Sequence, residues 1–121
     1  MKPTEEILSN LPLTETTYFI LLSLAHGSSH GYAIMKDVRE LSNGRVKLST
    51  GTLYTALKRL LDQGWIQRTH NKGNPQNVRG RKDYRLTDMG QQILQAEVQR
   101  LQGLVNAAQL RDLRKTTGPA D

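Results

Sequence analysis

The 121-residue chain contains no cysteine, which excludes a disulfide framework and a thiolate zinc site. It has no run of membrane-spanning length, because the longest apolar stretch, Tyr18 to Ala25, is interrupted by Ser23 and is too short. The N-terminus, "MKPTEEILSN", carries acids and no hydrophobic segment of signal-peptide length. A soluble cytoplasmic protein is therefore expected. No P-loop, GxSxG, HExxH or dinucleotide fingerprint is present. His26, His30 and His70 lack the spacing of metal ligands. Hydroxyls and acids are scattered without a paired base. These absences point to a non-enzyme with no metal and no cofactor.

What is present is positive charge, unevenly placed. The formal net charge is +6. Between Lys36 and Arg85 there are 12 basic residues against 4 acids, a net of +8, so the rest of the chain carries −2. Such concentration suits a polyanion partner, although a merely solvated basic surface would look the same by charge alone.

The length fits one domain with a modest core. A short helix is expected from Thr4 to Asn10, ended before Pro12. Thr14 is a plausible N-cap for a helix bearing Tyr18, Phe19, Leu21, Leu22, Leu24 and Ala25, apolar nearly all round and hence central. Ser28 or Ser29 should cap a second helix, about Gly31 to Leu41, with Ile34, Met35, Val38 and Leu41 inward. Val46 to Leu48 reads as a short strand. In "LSTGTLYTALKRLLDQGW", Leu53, Ala56, Leu57, Leu60 and Leu61 fall on one helix face. "WIQRTH" and "KDYRLT" read as two strands joined by a long loop containing Gly73, Pro75 and Gly80. Thr87 should cap a long helix from Asp88 to about Arg114, and residues 115–121 read as a disordered tail. This order predicts a mainly α fold with a small β-hairpin. It is a winged helix-turn-helix over residues 1–87, its wing about 66–87, followed by a dimerisation helix over 88–114.

The start of the third long helix has small hydroxyls around a glycine and no acid. Ser49 is expected to be its N-cap, with Thr50, Gly51 and Thr52 leaving the remaining backbone N–H groups approachable. Acids there would stabilise the isolated helix through its dipole but would repel DNA. An ordinary cap on a surface helix would use the same residues. The position of this helix, third in order and next to a basic hairpin, favours insertion into a major groove. Thr52, Tyr54 and Thr55 would then face base edges. Lys58, Arg59 and the wing would anchor phosphates.

Three segments together carry a family resemblance: "HGYAI" at His30–Ile34, "STGTLYTALKRLLDQGWI" at Ser49–Ile66 and "RKDYRLTDMGQQIL" at Arg81–Leu94. The chain resembles the PadR family of bacterial transcriptional regulators over about Leu13 to Leu113. Its length is similar to that of the short subfamily, with one C-terminal helix. The resemblance implies a homodimeric winged-helix repressor, less often an activator. It makes Ser49, Thr52, Tyr54 and Lys58 groove and backbone contacts. It makes Arg68 to Lys82 the wing, with Arg68, Lys72, Arg79, Arg81 and Lys82 as its cations. Where the family pattern has proline after the tyrosine, this chain has Thr55. The resemblance gives His30 a packing or capping role, with a phosphate contact the other reading. Tyr32 reads either as a phosphate contact through its hydroxyl or as a core residue with a polar end. Trp65 reads as a plug between the helix and the wing.

Along the last helix Leu94, Val98, Leu101, Val105 and Ala108 are spaced 4, 3, 4, 3, a heptad seam that Leu104 widens. A helix of about 26 residues is roughly 39 Å long, more than a small domain can cover. A second copy, by two-fold symmetry, is the expected partner. That helix carries no aromatic residue. An aromatic-sandwich ligand site, known in some short-subfamily members, is therefore not supported, and any small-molecule effector is unnamed. The expected partners are double-stranded DNA and a second copy, with no membrane. A winged-helix adaptor without DNA binding and an RNA-binding winged helix are the rival readings.

Overall fold

In the computed structural model, residues 3–69 and 82–111 are described. The elements run α1 (Glu5–Leu8), α2 (Glu15–Ser23), β1 (Ser29–His30), α3 (Gly31–Leu41), α4 (Thr50–Gln63), β2 (Ile66–Thr69), β3 (Asp83–Leu86) and α5 (Asp88–Leu110). Each helix begins at a side chain that accepts a hydrogen bond from one of the unpartnered first N–H groups. Thr4, Thr14, Ser49 and Thr87 do so with hydroxyls, at 3.3, 3.1, 3.1 and 3.0 Å. At α3 the cap is not Ser28 or Ser29. His30 takes that place, its Nδ1 accepting from the Ala33 N–H at 3.4 Å. Ser29 and His30 are extended as β1, so the turn into helix comes one residue later than the serines suggest.

The sheet has three antiparallel strands in the order β1-β3-β2, where a two-stranded hairpin was expected. Val46 to Leu48 forms no strand. The Val46 N–H donates instead to the Ser42 hydroxyl at 2.9 Å, closing a local turn. The free edge of β3 is taken by β1, with Ser29 opposite Tyr84 and His30 opposite Asp83. On the other side Ile66 faces Leu86 and Arg68 faces Tyr84. By the two-residue period of a strand, Ile66, Arg68, Tyr84 and Leu86 share one face of the sheet.

One core joins α2, α3, α4, the sheet and the first half of α5, centred on Ile20, Leu21, Ile34, Leu53, Leu60 and Ile93, all fully buried. Leu41, expected inward, is 45% exposed at the last turn of α3. Gly64 ends α4 in the left-handed region (φ 77°), which lets the Trp65 N–H reach back to the Leu60 carbonyl at 3.0 Å. Trp65 is buried there and belongs to the hydrophobic core. Thr87 closes the same corner: its N–H donates to the Trp65 carbonyl at 3.0 Å and its hydroxyl to the Gly64 carbonyl at 2.6 Å.

Glu97 is the one acid on α5 that lies inside, 1% exposed. It accepts from the Leu13 N–H at 2.8 Å and from Arg100 at 2.5 and 3.2 Å. These donors, Arg100 first, hold its carboxyl below the usual carboxylate range in spite of its burial. The contact ties α5 to the chain entering α2. The expected end of α5 beyond Arg111, and the tail, lie outside the described residues.

Candidate nucleic-acid interface

The outward side of α4 follows from its buried side. With Leu53, Leu57 and Leu60 fully buried, Gly51, Thr55, Lys58 and Asp62 lie opposite and are exposed. No acid stands in its first turn. Lys58 and Asp62 pair at 3.2 Å, but both are largely in solvent, so the pair is worth little and yields easily to a phosphate.

Two hollows flank this ridge. On the sheet side a groove of about 650 Å3 runs between α4 and the sheet, lined by Tyr54, Leu57, Lys58, Leu61, Arg68, Lys82 and Tyr84 among others. Arg68 projects from the inner face of the sheet, beside its cross-strand partner Tyr84, and so points into this groove. Burial pushes the Tyr84 phenol above its ordinary value, and Arg68 beside it pulls the other way. Tyr54 is half exposed and leans toward the start of α3. Gly31 makes the room: a Cβ there would lie 2.6 Å from the Tyr54 hydroxyl oxygen.

On the other side a cleft of about 710 Å3 separates α4 from the start of α2, lined by Thr14, Thr16, Ser49, Gly51, Thr52, Thr55, Ala56 and Arg59. Arg59 does not lie along the outer ridge with Lys58. Its guanidinium donates to the Thr17 hydroxyl at 2.8 Å. Glu15, the acid nearest this cleft in sequence, is engaged by Arg45 at 2.9 Å.

The model of the transcriptional regulator PadR-like family matches residues 20–96. The chain belongs to the PadR-like family. It is thus a transcriptional regulator of the winged helix-turn-helix type, and no enzyme. A PadR family transcription regulator from Clostridium difficile R20291 is 27% identical, with a TM-score of 0.65 over 80% of this chain and 97% of that one. A transcriptional regulator from Clostridium thermocellum, 21% identical, shares the fold at a TM-score of 0.61 over 89% of this chain and 96% of that one. PadR of Bacillus subtilis in complex with operator DNA is 29% identical, with a TM-score of 0.56 over 68% of this chain and 45% of that one. The chain therefore spans less than half the length of the Bacillus subtilis protein. That protein is also seen with p-coumaric acid, at 29% identity and a TM-score of 0.53 over 68% of this chain and 43% of that one. No curated protein sequence matches the chain.

In this PadR-like regulator Ser49, Thr50, Thr52, Tyr54, Thr55 and Lys58 are exposed at the start and along the outer side of α4, Arg59 is turned to the α2-side cleft, and Arg68 and Lys82 line the sheet-side groove with Tyr54 and Lys58. Tyr32 is 74% exposed on α3, which removes its reading as a core residue. Lys72, Arg79 and Arg81 lie outside the described residues. Leu94 is buried in the protomer's own core, whereas Val98 (42%), Leu104 (57%) and Val105 (49%) are exposed, and Leu101 and Ala108 are half-buried. The outward apolar seam therefore begins at Val98. Sequence reasoning missed the Arg59–Thr17 bond, the seat of Tyr54 on Gly31 and the buried Glu97. The first two join residues far apart in sequence. Glu97 carried a signal, an acid one turn before Arg100 within an otherwise apolar stripe. Among the described residues there is no group of three or more side chains fit to hold a metal ion, and no helix is long and apolar enough to cross a membrane.

Proposed function

We propose that this PadR-like chain is a sequence-specific DNA-binding repressor that acts as a homodimer on an inverted-repeat operator. The observation that carries the reading is the outer side of α4: an acid-free first turn capped by Ser49, hydroxyls at Thr52 and Thr55, and cations on both flanks. A helix N-terminus with hydroxyl and cationic neighbours suits phosphates and base edges in a major groove. The operator complex of the Bacillus subtilis relative supports it. The exposed seam of Val98, Leu104 and Val105 on α5 supports the homodimer, since a patch of that kind left bare favours aggregation. Two recognition helices related by a two-fold axis must meet half-sites whose centres are about 34 Å apart, or a multiple of that. The wing, with Lys72, Arg79, Arg81 and Lys82, supplies further phosphate anchoring.

The experiment is selection of bound fragments from a random duplex library, followed by footprinting and sedimentation of the complex. The expected result is an inverted repeat bound by two protomers. Recovery of no duplex moves the reading to an adaptor. Preference for RNA in competition moves it to an RNA-binding winged helix. An asymmetric single half-site refutes the dimer geometry.

A further inference from the structure

A helix lying in a major groove has phosphates on both sides, because the groove, about 12 Å wide, is walled by the two strands. At 3.6 residues per turn, Tyr54 and Lys58 lie on one flank of α4 and Thr52 and Arg59 on the other, the flanks about 130° apart, with Thr55 and Asp62 on the ridge between them. Each flank opens onto its own hollow. The sheet-side groove has Lys58, Arg68 and Lys82, with one acid, Asp62, among its described lining residues. The α2-side cleft has one cation among its described lining residues, Arg59, and otherwise hydroxyls, glycine and alanine.

That one cation is held in place. Thr17 is 4% exposed, and its hydroxyl accepts from Arg59 at 2.8 Å and from the Thr14 hydroxyl at 3.0 Å. Arginine has five N–H donors in a fixed fork, so one bond to Thr17 leaves the others open to the cleft. An unrestrained arginine would lose its rotamer freedom on meeting a phosphate, and Thr17 removes that freedom beforehand. Glu15, the acid beside the cleft, is paired with Arg45 at 2.9 Å.

We propose that the α2-side cleft receives a phosphodiester of the DNA strand opposite the one met by the sheet, that Arg59 is its contact, and that Thr17 is the positioning residue that aims Arg59 across the cleft. The inference rests on the DNA-binding reading above and adds a second strand to it. The recognition helix is then clamped from both sides, by Lys58 and the sheet on one strand and by Arg59 and the first turn of α2 on the other.

The test is a salt series of anisotropy titrations on the selected duplex with wild type, Arg59→Ala, Thr17→Val, the double variant and Thr17→Ser. Arg59→Ala is expected to lower the slope of log affinity against log salt by about 0.9 for each recognition helix engaged. Thr17→Val is expected to weaken binding about three- to tenfold with the slope unchanged, because the charge remains but is no longer held. In the Arg59→Ala background Thr17→Val should weaken binding no further, and Thr17→Ser should bind as wild type. A merely structural threonine would lower the melting temperature without this coupling. Should Thr17→Val fail to fold by circular dichroism, wild-type binding by Thr17→Ser and the reduced slope of Arg59→Ala carry the test. An unchanged slope in Arg59→Ala, or equal weakening by Thr17→Val with and without Arg59, overturns the inference and leaves the DNA reading standing. Absence of duplex binding by wild type overturns the DNA reading itself.

Discussion

Gly90 offers the sharpest stability experiment. It lies in the first turn of α5, pressed on the corner where α4 turns into β2. A Cβ at this position would collide with the Trp65 carbonyl oxygen and lie 2.9 Å from its carbonyl carbon. Neither atom can swing away, since both are backbone. Restoring ordinary contact requires the start of α5 and the Gly64–Trp65 corner to part by about 1 Å or more. That separation breaks the two Thr87 bonds to the same corner, each worth about 1 kcal/mol. Disturbed packing around Trp65 and Ile93 adds about 1–3 kcal/mol. Better helix propensity returns about 1 kcal/mol. The expected net loss for Gly90→Ala is therefore roughly 2–4 kcal/mol, a large share of the 5–15 kcal/mol typical of a domain. The assay is thermal and urea unfolding followed by circular dichroism. A fall in melting temperature of more than about 10 °C is expected. Gly103→Ala is the internal control, because a Cβ there meets nothing within 4 Å in the protomer. It should stabilise the helix by about 1 kcal/mol. A Gly90→Ala protein as stable as wild type would refute the packing argument. A destabilised Gly103→Ala would place the partner helix against that glycine.

Three other outcomes follow from the same geometry. Glu97→Gln should cost about 1.5–3 kcal/mol at neutral pH, through weaker bonds to Leu13 and Arg100. The wild-type Glu97 carboxyl is depressed in the folded state, so its stabilisation is present above the unfolded value near pH ~4.3 and is lost as pH falls through the lower folded one. Acid titrations of stability should thus be flatter below about pH 4.3 in the glutamine variant, and parallel curves would contradict this assignment. Leu101→Asp with Val105→Asp should give monomers or insoluble protein, and a wild-type chain that sediments as a monomer at micromolar concentration would count against the α5 seam. Lys58→Ala should weaken operator and random DNA about equally, while Thr55→Ala should change preference among sequences; equal behaviour of the two would contradict the division into phosphate and base contacts.

Local chemistry was enough to locate most elements. Thr14, Ser49 and Thr87 announce helix starts because a short hydroxyl before an apolar-periodic run satisfies donors the helix itself cannot. The stripe Leu53, Ala56, Leu57 and Leu60 marks α4 and its outer side, since a period of 3.6 separates buried from exposed faces. The basic middle segment and the joint motifs led to the family by sequence alone. Tertiary structure decided what depends on neighbours distant in sequence. β1 exists because β3 offers it an edge, a fact invisible in "SSHG". His30 became the α3 cap because Ser29 and His30 are extended as β1 beside β3, which puts the start of the helix after the serines. Leu94 went to the protomer's core and Val98 to the surface, although the heptad treats them alike, because the body of the fold covers Leu94 and leaves Val98 bare. Arg59 and Lys58 are neighbours in sequence but stand about 100° apart on a helix. Only the approach of α2, with the buried hydroxyl of Thr17, settles that Arg59 belongs to a different hollow from Lys58.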